Sequence, residues 1–153
     1  METISSISDF QSAVKEELEN NTYFVNHRVP ILIENAKDIE YQIKTAMSSL
    51  GITATVATPS LTYKGDVIPN EKPCWEVSTL NVVVVENPTL NRGRADYATA
   101  LDTALQIALT LNRLPNVGIA TISQNTQGGL VVVTVSAKTH VSFSLEFSEE
   151  PAQ

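Results

Sequence analysis

Glu34 and Glu86 are the side chains of this sequence with most scope for acid–base chemistry. Each closes an expected strand, and paired carboxylates at strand ends can share the roles of general acid and general base. Cys74, the single cysteine, precedes the second of those strands. A fold that gathered all three in one pocket would make the chain a small enzyme or a ligand-binding α+β protein. Solvated strand-end carboxylates are far commoner than catalytic ones. Cys74 has no companion histidine in a nucleophile context, so a half-buried thiol is its ordinary reading. His27 and His140 are the two histidines. Neither has a metal-ligand partner at helical or hairpin spacing, and His140 falls on the solvated phase of its strand. Asp96 and Asp102 are six residues apart, which puts them on different faces of a helix. Asp96 is read as favouring a helix N-terminus by its charge. Gly128-Gly129 lacks the spacing and following helix of a phosphate loop and is read as part of a turn. Arg92 and Arg94 flank Gly93 just before a long helix. Two arginines at a helix start oppose its dipole, a local rule broken without evident gain. Contact with a partner would explain them; solvated loop residues are the plain alternative. No catalytic residue, cofactor or metal is assigned.

The elements that must position these residues centre on Trp75 to Leu114. Trp75 to Glu86 reads as a strand, because the run Val82 to Val85 is β-branched and stiff. Trp75 and Val77 share one face and Glu76 and Ser78 the other, while the valine run is apolar on both. A strand apolar on both faces is expected to be central and covered on two sides. Pro88 ends it. A helix is expected from near Arg94 to Pro115. Tyr97, Leu101, Ala104, Ala108 and Leu111 share one side of it, and Ala98, Leu105, Ile107 and Leu109 widen that side to more than half the circumference. So wide a stripe asks for a second contact, either another helix or another subunit.

Ahead of this stretch, Ile7 to Glu19 has helical apolar spacing, with Ser8 and Gln11 resembling a capping box. Tyr23 to Glu34 is read as mostly extended, with Pro30 to Ile33 a short edge strand. A helix follows from Lys37 or Asp38 through Leu50, stopped by Gly51. Ile52 to Ala57 alternates as a strand facing inward through Ile52, Ala54 and Val56. Pro59 to Cys74, broken by Pro59, Gly65, Pro69 and Pro73, reads as a long, wet, mobile loop, with Leu61-Thr62-Tyr63 extending the strand before it. Val117 to Ser123 is a strand, and Gln124 to Gly129 a hairpin connection. From Val131 to Phe147 every odd position but Thr139 is apolar, a period of two. At about 3.3 Å per residue that strand is long for a small domain, so a bend is expected near Lys138-Thr139. Ser148 to Gln153 is expected to fray.

At 153 residues, 42% hydrophobic and 18% charged, one folded α+β domain spanning 1–153 is expected. Its sheet should be mainly antiparallel, of about four strands, against two or three helices. The net charge of -7 argues against binding nucleic acid by phosphate neutralisation. One cysteine fits a reducing compartment. There is no apolar leader-like segment and no run of membrane-spanning length, so a soluble, cytosolic chain is expected.

The order helix, strand, loop, long strand, helix, hairpin resembles the tail-terminator and tail-completion (head–tail joining, neck) proteins of long-tailed phages. Ile33-Glu34-Asn35-Ala36 leading into Ile39 to Gly51 adds to it. So does Val84-Val85-Glu86-Asn87-Pro88 leading through Asn91-Arg92 into the long helix. The helix at Asp38 to Leu50 departs from the simplest pattern of that family. The resemblance implies a structural protein with no catalytic residues and no cofactor. It would form a ring, commonly a hexamer, that ends tail-tube growth and joins tail to head in the host cytoplasm and then the virion. Its partners would be itself, the tail tube and neck proteins, with DNA passing through unbound and no membrane involved. Lys64, Asp66, Arg92 and Arg94 are the expected interface candidates. A phage-derived injection system shares the same physics.

Overall fold

The valine run does form the middle of a sheet. In the computed structural model, which describes residues 6–64 and 74–144, strand β4 (Cys74–Glu86) is paired along both edges. Its whole length runs antiparallel to β6 (Leu130–Ser144), from Cys74 opposite Ser144 to Glu86 opposite Val131. Its other edge is divided. β2 (Ile52–Val56) pairs with Val82 to Glu86, and β3 (Ser60–Lys64) pairs with Cys74 to Thr79. Short β1 (Ile31–Ile33) lies parallel to β2 at one margin, and β5 (Val117–Gln127) lies antiparallel to β6 at the other. The α+β class therefore holds. The sheet has six strands among the described residues, not about four, and it is mainly antiparallel as expected, with β1–β2 its one parallel pair.

Among the described residues five helices accompany the sheet: α1 (Ile7–Glu19), α2 (Thr22–Asn26), α3 (Ile39–Ser49), α4 (Pro88–Asn91) and α5 (Ala100–Leu111). α2 and α4 are about one turn each, which is why sequence periodicity missed them. α1 has the expected bounds, but its cap is Ser6, whose Oγ accepts from the Asp9 amide at 3.1 Å. Gln11, expected in a capping box, is buried instead and donates to the Ala57 carbonyl at 3.2 Å, which ties α1 to the end of β2. Tyr23 to Glu34 is not mostly extended: α2 occupies its first part, capped by Asn21 Oδ1 on the Tyr23 amide.

One face of the sheet carries the core. Ile52, Ala54, Val56, Leu80, Val82, Val84, Val133 and Val135 lie fully buried against α1 (Phe10, Val14, Leu18) and α5 (Ala104, Ile107, Leu111). Thr53 alternates with Ile52 and Ala54 to the reverse face. There its hydroxyl donates to Met47 Sδ of α3 at 3.8 Å, so α3 covers the other side of β1 and β2. Val83 and Val85, on that reverse face, are only partly buried. Two-sided cover thus extends only as far as α3 reaches.

The expected bend in the last strand is a bulge. Val77 pairs with Val141 but Thr79 with Lys138, so Thr139 and His140 together oppose Ser78. β6 keeps its period of two through this point, whereas the buried phase of β4 changes from odd at Val77 to even at Leu80. Beyond the bulge, β3, the first half of β4 and the end of β6 form a three-stranded arm. Ser60 to Lys64 is accordingly a separate strand, not loop and not an extension of β2. Residues 65–73, with Asp66, and residues 145–153 lie outside the described residues, as do the expectations of mobility and fraying placed on them. At the other end of β6 the connection to β5 is the two-residue turn Gly128-Gly129, both with positive φ, as a primed hairpin turn requires.

Gly51 illustrates how closely these parts meet. It ends α3 at φ +76°, and a Cβ there would stand 2.8 Å from the Asn91 amide nitrogen of α4. Its carbonyl accepts from the Asn87 amide at 2.7 Å. Gly51→Ala should therefore lose at least about 2 kcal/mol, from strained backbone and collision together. Thermal unfolding should show a Tm lower by roughly 4–8 °C. Gly128→Ala, where no heavy atom lies within 4 Å, should lose less.

Candidate functional site

Glu86 ends β4 fully buried, on the phase of Val82 and Val84. Its carboxylate accepts from Asn91 Nδ2 at 2.7 Å, Arg92 Nε at 3.1 Å and the Ala100 amide at 3.0 Å. Burial pushes its pKa up, but the bonds from Arg92, Asn91 and the Ala100 backbone outweigh that and hold the carboxyl below its ordinary value. Ala100 is the first residue of α5, so the anion sits on the free amides and positive dipole end of that helix. Thr99 supplies the side-chain cap, its Oγ1 accepting from the Asp102 amide at 3.2 Å.

The helix thus starts at Ala100, not near Arg94, and its dipole is matched by a carboxylate 14 residues earlier in the chain. Arg92 and Arg94 stand in the connection between β4 and α5, not at a helix start. Arg92 pairs with Glu86. Arg94 donates to Asn91 Oδ1 at 2.7 Å and to Asp96 Oδ1 at 3.1 Å. Asp96, bound also by Arg28, is held low by that hydrogen bond and pins the loop to the end of α2 rather than favouring a helix terminus. His27 Nδ1 lies 3.0 Å from the Asp96 carbonyl oxygen. Of the stretch Glu86-Asn87-Pro88 to Asn91-Arg92, Glu86 and Asn91 are buried, and the half-exposed Arg92 turns its guanidinium onto Glu86. The arrangement is a support for α5.

The other candidates do not converge. Glu34 follows β1 beside Val56, its Oε1 accepting from the Thr58 amide at 3.3 Å, whereas Glu86 pairs with Ile52 at the opposite end of β2. Cys74 begins β4 and Glu86 ends it, so about 40 Å of strand separates them. Lys64 ends β3 opposite Cys74, on the arm. His140 is exposed on the arm, 4.0 Å from Glu76. No three His, Cys, Asp or Glu side chains gather among the described residues.

What the surface does offer is apolar. α5 buries Ala100, Ala104, Ile107 and Leu111 on the sheet, but Leu101, Leu105 and Leu109 are 51%, 49% and 51% exposed. At i, i+4 and i+8 they form one outward stripe. Leu101 and Tyr97, expected on the buried side, belong to it or stand beside it, Tyr97 before the helix and 43% exposed. Leu105 also lines an open cleft of about 450 Å³ with Tyr23, His27, Tyr97 and Asp102. On the arm, Leu61, Tyr63 and Trp75 are 41%, 53% and 51% exposed. The capping-box spacing of Thr99 and Asp102 is the signal that locates the true helix start and, from it, the phase of the stripe. The arm surface had no such signal, because the phase change at Ser78 is a product of strand pairing.

No protein-family model matches the chain and no curated protein does. Among solved structures it is similar to the catalytic domain of the histidine kinase ThkA, at 11% identity over 91% of this chain and 97% of that one, with a TM-score of 0.30. It is similar to a biotin protein ligase of Leishmania major at 10% identity, over 82% of this chain and 61% of that one, with a TM-score of 0.26. A protein from Akkermansia muciniphila gives 10% identity, 94% and 81% coverage and a TM-score of 0.30. Likenesses this slight carry no argument about what the chain does.

The Glu86 anchor has a pH signature. Its folded pKa lies below that of an unfolded glutamate, about 4.3. Its stabilisation is therefore complete above that value and is lost as the pH falls through it towards the lower folded pKa. Glu86→Gln should lose about 1–3 kcal/mol at neutral pH, because the amide cannot accept from all the donors that the carboxylate satisfies. It should also lose less stability than the wild type between pH 5 and acid unfolding, as measured by denaturant titration at each pH.

Proposed function

We propose that this chain is a structural protein of a long-tailed phage or prophage. It self-assembles into a closed ring that caps the tail tube or joins it to the head and neck. The observation that carries the reading is the leucine stripe of α5, which the helix's own sheet leaves half exposed along its whole length. A helix that serves one chain alone presents polar groups on that side; three leucines in line mark a contact surface. The element order and the two segments around Glu34 and Glu86 support the particular family. A net charge of -7 suits a channel through which DNA passes without being held, since like charge does not retain phosphates. The enzyme alternative needs Glu34, Glu86 and Cys74 in one pocket, and their places at separate strand ends weigh against it.

Light scattering over a concentration series, repeated with purified tail tubes, tests the proposal. Self-association is expected, weak in isolation and complete on tubes. Changing Leu101, Leu105 and Leu109 together to lysine should weaken it at least about 100-fold, at roughly 1 kcal/mol per half-exposed leucine. Circular dichroism should stay that of the wild type. A strict monomer at high concentration that also fails to bind tubes would rule the proposal out.

A further inference from the structure

The stripe on α5 has a counterpart on the same chain. Leu61 faces Val77 and Tyr63 faces Trp75 across β3–β4, and Trp75 faces Phe143 across β4–β6. These side chains therefore share one face of the arm, and the rings of Tyr63 and Trp75 lie 5.4 Å apart. The face continues the one that α1 and α5 cover farther along; Val77, at the inner end of the arm, and Leu80 beyond it are fully buried. A half-apolar antiparallel sheet is normally covered by a second layer, and on the arm three large side chains stay about half exposed. The leucine stripe cannot supply that layer within its own chain, because α5 already rests on the sheet through its opposite side.

We propose that the leucine stripe of one copy packs on the arm of the next, so that the missing layer of each arm is a neighbour's α5. This rests on the self-association reading and names its two surfaces. They differ, so each copy uses its helix towards one neighbour and its arm towards the other, and the contact is head-to-tail. Such contacts close into a ring when the rotation closes. The area is sufficient. Seven large apolar side chains, four beside or on α5 and three on the arm, are each about half exposed. At roughly 150–250 Å² for a whole aromatic side chain and somewhat less for leucine, they offer about 600–700 Å² of apolar surface. Interfaces are a little under 60% apolar, so the total is about 1,100–1,200 Å², near the lower bound of specific contacts. The cleft that Leu105 shares with Tyr23, His27 and Tyr97 gives an arm aromatic a pocket to enter, the usual place of an interface anchor.

Two variants test this by complementation in sedimentation experiments. Leu101→Lys with Leu105→Lys leaves the arm intact; Leu61→Lys with Tyr63→Lys leaves the helix intact. Each alone should be monomeric with the wild-type circular dichroism, and an equal mixture should give a dimer and nothing larger. In the wild type, emission from Trp75, the single tryptophan, should shift to the blue as concentration rises. If the lysine arm variant fails to fold, Leu61→Thr with Tyr63→Thr keeps strand propensity and serves the same purpose. An arm variant that assembles as the wild type does, or a mixture that stays monomeric, overturns the helix-on-arm contact while leaving self-association standing. A wild type that never associates, tubes included, removes both.

Discussion

A single buried carboxylate fixes how the two halves of the chain meet. Glu86 leaves water at the end of the central strand, and an ion in that position is tolerated only when its acceptor sites are filled. Four donors from three residues fill them: the Asn91 amide, two nitrogens of Arg92 and the Ala100 backbone. The requirement works outward. The chain must turn through α4 to bring Asn91 and Arg92 back over the strand end. α5 must begin at a point that aims its free amides at the carboxylate. Gly51 must be bare for α4 to settle against it. Arg94, Asp96 and Arg28 then lock the outer side of the same connection to α2. That one anion fixes where α5 begins on the sheet, and the packing of Ala104, Ile107 and Leu111 leaves Leu101, Leu105 and Leu109 facing outward.

The sheet itself is organised by unequal cover. Around Glu86 it has α1 and α5 on one face and α3 on part of the other. Towards Cys74 it narrows to three strands. The bulge at Thr139 and His140 marks the border between these regions. It lets β6 keep a regular alternation while β4 changes phase. The apolar residues of the arm, Trp75 and Val77, thereby stay on the same side as Leu80 and Val82 although they occupy the other parity. The arm is apolar on the covered side of the sheet yet lies beyond most of the cover.

Much of this could be read from residues. The bounds of α1, the inward phase of Ile52, Ala54 and Val56, the centrality of the valine run and the odd phase of β6 follow from local periodicity, and the structure has them. What local pattern could not give were the features made by distant partners. β3 is a separate strand only because β4 offers its edge, so Leu61-Thr62-Tyr63 looked like an extension of the strand before it and their surroundings like loop. Arg92 and Arg94 looked misplaced because the turn, not sequence spacing along a helix, brings each beside its anion, Glu86 for Arg92 and Asp96 for Arg94. The helix start was misplaced for a related reason. The apolar residues Tyr97 and Ala98 continue the pattern of α5, and Thr99 with its partner Asp102 had to be weighed against them. The candidate surface was half visible: the excess width of the α5 stripe could be counted, but its direction needed the true first residue of the helix.

The pairing of β4 with β6 has a consequence for how the chain is made. Synthesis delivers β4 with only β2 and β3 to receive it, while the strand that pairs along its full length, β6, follows only after α5 and β5. Until Val131 to Ser144 has left the ribosome, the valine run has one open edge, an exposed template for pairing with another nascent chain. Contacts so distant in sequence also form slowly, because loop-closure entropy is spent before they stabilise anything. Translation that stalls before β6, or truncation within it, should thus yield not a slightly weakened protein but one whose central strand is left to aggregate.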